Sequence, residues 1–353
     1  MKSLIVKPYK KYMIVWMDIL GFEDKVNKAS NNQKEIKNIV KVLEEAKKLA
    51  EAFNWSHRSV KVKSQSFSDN IVIVCPKPDT NAVCLLFIMV SLYQISMVAA
   101  RYFLRGAAAI DSHYSKGNIV FGPGIIQAVR MEKKAVWPRV IIVPNLQQNI
   151  EPVSQRFLNL IFGILGVTSL PTFGKNQLEE LDRDFRNAIE TLFLTRSEEG
   201  FQYVNYLRLA FDLLAGIKWV SEYAELDAPE LVKMPVLSVH KDAIVKEAQA
   251  KNVKHDHGLL AKYHSLAVYH NSVVDTLYDS LAKTFDPTKL TLSTDLDLIY
   301  CTAHGLFMAK KVGISEEEKE DFLNKKISAL SKNRHELIDC KIELSKVFPA
   351  LYT

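Results

Sequence analysis

Four cysteines, Cys75, Cys84, Cys301 and Cys340, are all that this chain of 353 residues contains, and no two stand in a CxxC spacing. That scarcity excludes a disulfide scaffold and a cysteine-based zinc site, and it suits a reducing compartment. Charge of one sign is scarce too: 46 Lys and Arg against 40 Asp and Glu leave +6 at pH 7. Neither a strongly basic nucleic-acid binder nor an acidic solvated tail fits that balance. The opening MKSLIVKPYKKYMIVWMDIL mixes lysines with apolar residues, and no small-residue cleavage site follows it. A secretory signal is therefore not expected, and the expected location is the cytoplasm. Internal repeats and low-complexity tracts are missing, which excludes solenoids.

What the chain does have is enough apolar material, 48% against 24% charged, to build sizeable cores. Its length suggests two domains. Over residues 1–150, strand-like and helix-like patterns alternate. Tyr12 to Met17 (YMIVWM) is an apolar run of strand length, ending at Asp18, and Asn32 to Ala52 has helical spacing. SVKVK (Ser59 to Lys63) alternates like a strand, SFSDN has turn character, and NIVIVC (Asn70 to Cys75) is a second apolar run. A long helix from Thr80 to Phe103 follows, then RGAAAI as a third strand, a helix from Gly122 to Lys134, and a fourth strand from Val140 to Val143. This order predicts an α/β sandwich. From 151 to 353 the pattern reads as mostly helical, with a capping-box spacing at Ser315 and Glu318.

The one run of nearly membrane-spanning length is Ala82 to Ala100. Ser91, Tyr93, Gln94 and Ser96 interrupt it, and Arg101 and Arg105 follow closely. A helix buried beneath a sheet gives the same signal, and that reading is preferred to a membrane span.

Two carboxylates draw attention by position. Asp18 closes the first apolar run, and Asp69 stands in the turn before the second. On neighbouring strands they could converge on one hard cation, and Gly21 would let backbone N–H groups approach a phosphate. Aspartates at strand ends are also ordinary turn residues, and spacing alone leaves both readings open. His255 and His257 flank Asp256 in KHDHG, but a spacing of two on a loop does not suit zinc.

Taken in order, MDILGFEDKV, SFSDNIVIVC, LRGAAAI and NIVFGPGIIQAVRMEKKA resemble the class III nucleotidyl cyclases over residues 10–145. The resemblance implies a class III cyclase-type α/β sandwich followed by a mostly helical C-terminal region, regulatory or dimer-supporting. It implies Asp18, the backbone carbonyl of Ile19, and Asp69 as ligands of two Mg²⁺ or Mn²⁺ ions. The amides of Gly21 and Phe22 would meet the triphosphate, and Arg130 falls where the transition-state arginine belongs. A homodimer with the site shared between two chains is implied as well.

Departures from the pattern concern the base. Gln65 stands where purine cyclases carry a lysine, Ile119 where they carry Asp or Thr, and Ile126 where they carry an asparagine. Either the site is degenerate and only senses nucleotides, or it reads another base. GPGIIQAVRMEKKAVWPRVII, with Glu132 and Pro138-Arg139, is similar to the pyrimidine cyclases of Pycsar antiphage systems. That similarity implies CTP or UTP as substrate and a separate effector that responds to the cyclic product. Arg105 remains open between a solvated strand-end arginine and a support for the site.

Overall fold

The computed structural model describes residues 9–56, 61–76, 78–116, 119–144, 146–150, 200–211, 235–250, 256–283 and 337–351, with scattered positions between 152 and 197. The chain divides into two compact units, Met1–Leu160 with Pro171–Tyr206, and Ile161–Leu170 with Leu207–Thr353.

The first unit is mixed α/β around an eight-stranded sheet. Its central strand is β1 (Lys10–Ile19), paired antiparallel to β3 (Asn70–Pro76) on one side and to β4 (Leu104–Lys116) on the other. With β2 (Lys63–Phe67), β6 (Val140–Ile142), β7 (Leu194–Arg196) and β8 (Gln202–Val204), the strand order is β2-β3-β1-β4-β6-β8-β7, and β5 (Ile119–Phe121) is attached to the far end of β4. β1 and β3 are central because their apolar runs tolerate cover on both faces: Met13, Ile14, Val15 and Ile71 through Cys75 are all buried.

Strand alternation assigns the two faces. Met17, Ile71 and Ser66 share one face through the register of β1, β3 and β2 (Lys63–Phe67). There Ser66 Oγ donates to the Leu43 carbonyl of α2 (Gln33–Ser56) at 3.2 Å. α3 (Thr80–Ala99) packs on α2, with the Tyr93 hydroxyl 3.5 Å from the Val42 carbonyl. The opposite face carries α4 (Pro123–Glu132). Gly124 is seated so closely there that a Cβ would stand 2.6 Å from Ile14 Cδ1, so a side chain at this position would require the Ile14 side chain to shift.

α3 is long and apolar enough to cross a membrane by length and composition. Most of its surface is nevertheless covered by this unit, with Val83, Leu86, Phe87, Val90, Tyr93 and Ile95 fully buried. An apolar surface all round is what a core helix needs as much as a spanning one. Asp79 caps it, accepting from the Ala82 amide at 2.8 Å. Cys75 and Cys84 lie in this core, and burial pushes the Cys75 thiol up to about 12 and Cys84 higher still. Both are expected to resist iodoacetamide at pH 8 in the folded protein and to react once it unfolds, as mass spectrometry of the labelled chain will read.

At three places the described elements shift or add to the expectations. Of the strand expected at Ser59 to Lys63, positions 59 and 60 lie outside the described residues; the described strand is Lys63–Phe67, and Val62 before it is pinned by Asn54: its amide donates to Asn54 Oδ1 at 2.7 Å and its carbonyl accepts from Asn54 Nδ2 at 2.6 Å. The helix expected to run to Phe103 ends at Ala99, where Arg101 turns the chain at φ 63. The region after residue 151, expected to be mostly helical, also contributes β7 (Leu194–Arg196) and β8 (Gln202–Val204), a hairpin that extends the sheet beyond β6 (Val140–Ile142). FQYV alternates with the period of a strand, and the Arg139 guanidinium lies 4.9 Å over the Tyr203 ring. Ser315, Glu318, His255 and Cys301 lie outside the described residues.

In the second unit, α5 (Val236–Ala248) packs on α6 (His257–Lys283), which opens at His257. His240 and His270 are fully buried between them, rings stacked at 5.2 Å, with Nδ1 to Nδ1 at 3.1 Å. His270 Nε2 stands 2.8 Å from the Cys340 carbonyl and must donate to it. Its Nδ1 is therefore the acceptor, and His240 Nδ1 carries the proton between the rings. Burial lowers His270 to about 4 and His240 well below its ordinary value. Both are neutral in the folded chain, while the unfolded chain takes up protons near pH 6.5. Stability is thus complete above pH 6.5 and falls as the pH drops toward 4. We expect a loss of about 2 kcal/mol between pH 7 and pH 5 from His270 alone, read as a falling urea midpoint, with a shallower slope in His270→Gln.

Candidate functional site

At the end of β1 the chain leaves the sheet, and here the separate segments meet. Asp18 is opposite Asn70 on β3 and opposite Arg105 on β4. The Ile19 amide donates to the Asp69 carbonyl at 3.1 Å, and the Leu20 amide to the Phe103 carbonyl at 2.8 Å. Those two backbone bonds fix the β2–β3 turn and the entry to β4 against the strand end, and with them the side chains of Asp18, Asp69 and Arg105.

The Asp69 carboxyl lies within hydrogen-bonding reach of Asp18, and Asn70 Nδ2 donates to Asp69 Oδ1 at 2.7 Å. Arg105 Nε donates to Asp18 Oδ2 at 3.0 Å and stands 2.7 Å from Glu132 Oε1. Burial pushes the Asp18 carboxyl above its ordinary range, against the pull of Arg105, and Asp69 adds to the rise. Burial also raises Glu132, with Arg105 opposing. Asp18 and Glu132 thus share one guanidinium, with Asp69 beside Asp18, and this concentration of negative charge favours a cation.

Gly21 takes a left-handed φ of 66 and leads into α1 (Phe22–Ala29). That conformation lets the chain turn from strand to helix within three residues, and Phe22 is buried beneath the turn. Ile19 is buried at the strand end.

Gln65 is two strands from Trp16 through Val72, so it stands on the same face as Asp18 and α4. Phe67, also on this face, is half exposed and lies 5.5 Å from the Trp16 ring. Ile119 is 61% exposed and paired with Lys116, whereas the β4 residue level with Gln65 is Ala107. The stretch from Ala107 to Lys116 amounts to about 30 Å of strand contour, so one chain does not bring Gln65 and Ile119 into one pocket.

Arg130 and Ile126 are exposed, one turn apart on α4. Glu132, two positions beyond Arg130, points the other way into the sheet because two helical residues span roughly 200°. Arg130 therefore faces away from the Asp18 of its own chain.

The sequence reading underused Arg105 and Glu132. Arg105 is no solvated strand-end residue, since it bridges Asp18 and Glu132. The available signal was a carboxylate on the buried stripe of α4, with Gly124, Ala128 and Met131. A charge on an apolar helix face needs a partner. Among the described residues no three His, Cys, Asp or Glu form a metal cluster by themselves.

No protein-family profile matches the chain, and no curated protein sequence does. Among solved structures, a Class III adenylyl cyclase-like ATP-binding protein from Pseudomonas aeruginosa is similar to 87% of this chain and 73% of its own, at 9% identity and a TM-score of 0.31. A likeness of that size carries no weight for the fold or the chemistry, which rest on the geometry above.

Proposed function

We propose that this protein is a pyrimidine nucleotide cyclase, converting CTP or UTP to the 3′,5′-cyclic nucleotide and pyrophosphate. The observation that carries the reading is the meeting of Asp18 and Asp69, from segments 51 positions apart, with their carboxyls in contact at one strand end. Repulsion between them is what a hard dication relieves. With only two carboxylates from the protein, Mg²⁺ or Mn²⁺ would complete its shell with backbone oxygen, such as the Ile19 carbonyl, and with substrate phosphates. The metal, when bound, supplies Lewis-acid activation of the ribose 3′-hydroxyl and charge for the leaving pyrophosphate. Positive charge at the phosphates would come from the metal rather than from the start of α1, whose first turn holds Glu23 and Asp24; the amides of Gly21 and Phe22 would orient the triphosphate. Gln65 would read the base edge.

Arg130 is exposed and faces away from its own chain's Asp18, so it would stabilise the α-phosphoryl charge from a second copy. That placement supports the reading of a homodimer with two shared sites. Ile119 and Ile126 lie on the same exposed stretch from β5 to α4 and would reach the shared site in the same way. The product would act on a separate effector in antiphage defence. Neither nucleic acid nor a membrane has a part in the reading.

Purified protein incubated with each of the four NTPs and Mn²⁺ is expected to release a cyclic pyrimidine nucleotide and pyrophosphate. No cyclic product from any NTP would end the enzyme reading and leave the nucleotide-sensing one, which Ile126 in the asparagine position favours. Calorimetry with NTP and Ca²⁺ then tests binding without turnover.

A further inference from the structure

Arg105 holds a contested donor. A guanidinium Nε carries a single hydrogen, and here it points at Asp18 Oδ2, 3.0 Å away. Glu132 Oε1 is closer to the same nitrogen, at 2.7 Å, yet makes no hydrogen bond and is shielded from solvent. Glu132 is 5% exposed and ends α4, where the helix dipole disfavours an anion. A buried carboxylate in that position, lacking its hydrogen bond, is poorly placed unless the donor comes to it in another state of the site.

We propose that Arg105 and Glu132 are positioning residues forming a relay: when a divalent cation takes the Asp18 and Asp69 carboxylates, the Arg105 Nε–H passes from Asp18 to Glu132. The inference rests on the cation-binding reading of the two aspartates. Before the cation arrives, Arg105 neutralises Asp18 and holds its carboxyl in place. As the cation binds, the guanidinium must leave or be repelled, and Glu132, already at contact distance, receives it with a small rotation. Glu132 therefore lowers the cost of displacing Arg105 and strengthens cation binding through it.

Mn²⁺ alone, without nucleotide, is the probe, with bound and free ion separated by electron paramagnetic resonance. Wild type is expected to bind Mn²⁺ in a manner lost in Asp18→Asn and Asp69→Asn. Without such binding, the metal reading and the relay fall together. In Glu132→Gln the dissociation constant should rise about tenfold, within the range of coupled neighbours. In an Arg105→Gln background the same substitution should change it little. An unchanged constant in Glu132→Gln overturns the relay and leaves the metal reading standing. An equal weakening in both backgrounds is bare charge removal and also overturns it. Should Arg105→Gln fail to fold, the Arg105 Nε–H resonance of wild type decides, assigned by its loss in Arg105→Lys. Mg²⁺ should shift that resonance, and one that does not move overturns the relay.

Discussion

Asp69→Ala is expected to lose cyclisation of every NTP by at least about 10³-fold, and Arg130→Ala by about 10²–10³-fold, measured as cyclic nucleotide by chromatography. The first figure reflects the removal of one of only two carboxylates that meet at the strand end, leaving Asp18 to its pair with Arg105. Asp69 sits in a turn, where its side chain accepts from its neighbour Asn70 and lies beside Asp18, so the fold should survive the change. The second figure is that of one electrostatic group lost from the transition state. Arg130 and Glu132 point to opposite sides of α4, so on the shared-site proposal the arginine would act on another chain's phosphates. A heterodimer of Asp69→Ala and Arg130→Ala, co-expressed with two tags and purified through both, should therefore regain about half of wild-type activity. One of its two sites unites both lesions and the other has neither. A heterodimer as dead as its parents, from two variants that each dimerise normally, would overturn the shared-site arrangement.

Equimolar competition among the four NTPs should yield cyclic CMP first and cyclic UMP second, with purine products lower by about 5- to 150-fold. That interval is the cost of about 1–3 kcal/mol for one buried polar group left unmet. A glutamine amide can donate to cytosine O2 or N3 and accept from its N4 amino group. Reversed, it serves uracil. An adenine or guanine edge would need a second polar partner, and Ile119 offers only apolar surface wherever it meets the base. Gln65→Lys removes the acceptor and keeps donors, so preference should move from CTP toward UTP, whose O4 accepts. Cyclic AMP or cyclic GMP as the main product would refute the base argument while leaving the metal chemistry untouched. Gln65 and Ile119 belong to distant parts of one sheet, so any joint action on a base requires two chains.

Patterning made much of the first unit legible. YMIVWM and IVIVC are apolar at successive positions, and only a strand covered on both faces buries neighbours in sequence, as β1 does with Met13, Ile14 and Val15 and β3 with Ile71 through Cys75. Gly-Pro before IIQAVRME announces α4, with proline in its first turn. The β7–β8 hairpin was harder, because strands of three residues show scarcely one alternation and owe their place to pairing with β6. A long-range partner, not local preference, decides such strands.

By itself the sequence determined which residues can carry chemistry and on which kind of element some of them stand: aspartates at strand ends, an arginine on a helix. Those follow from local periodicity and turn preference, which act over a few residues. Only the tertiary structure decided which of them meet. The register of β1 with β4 sets Arg105 against Asp18 across 87 positions of chain, and the seating of α4 brings Glu132 to the same guanidinium. It also turned Arg130 outward and kept Ile119 away from Gln65. Register and helix seating are set by the summed packing of a whole face, where a one-residue slip would exchange the side chains on the two faces of β1. No local segment holds that sum, and for this reason the ion-pair relay became visible only in the folded chain.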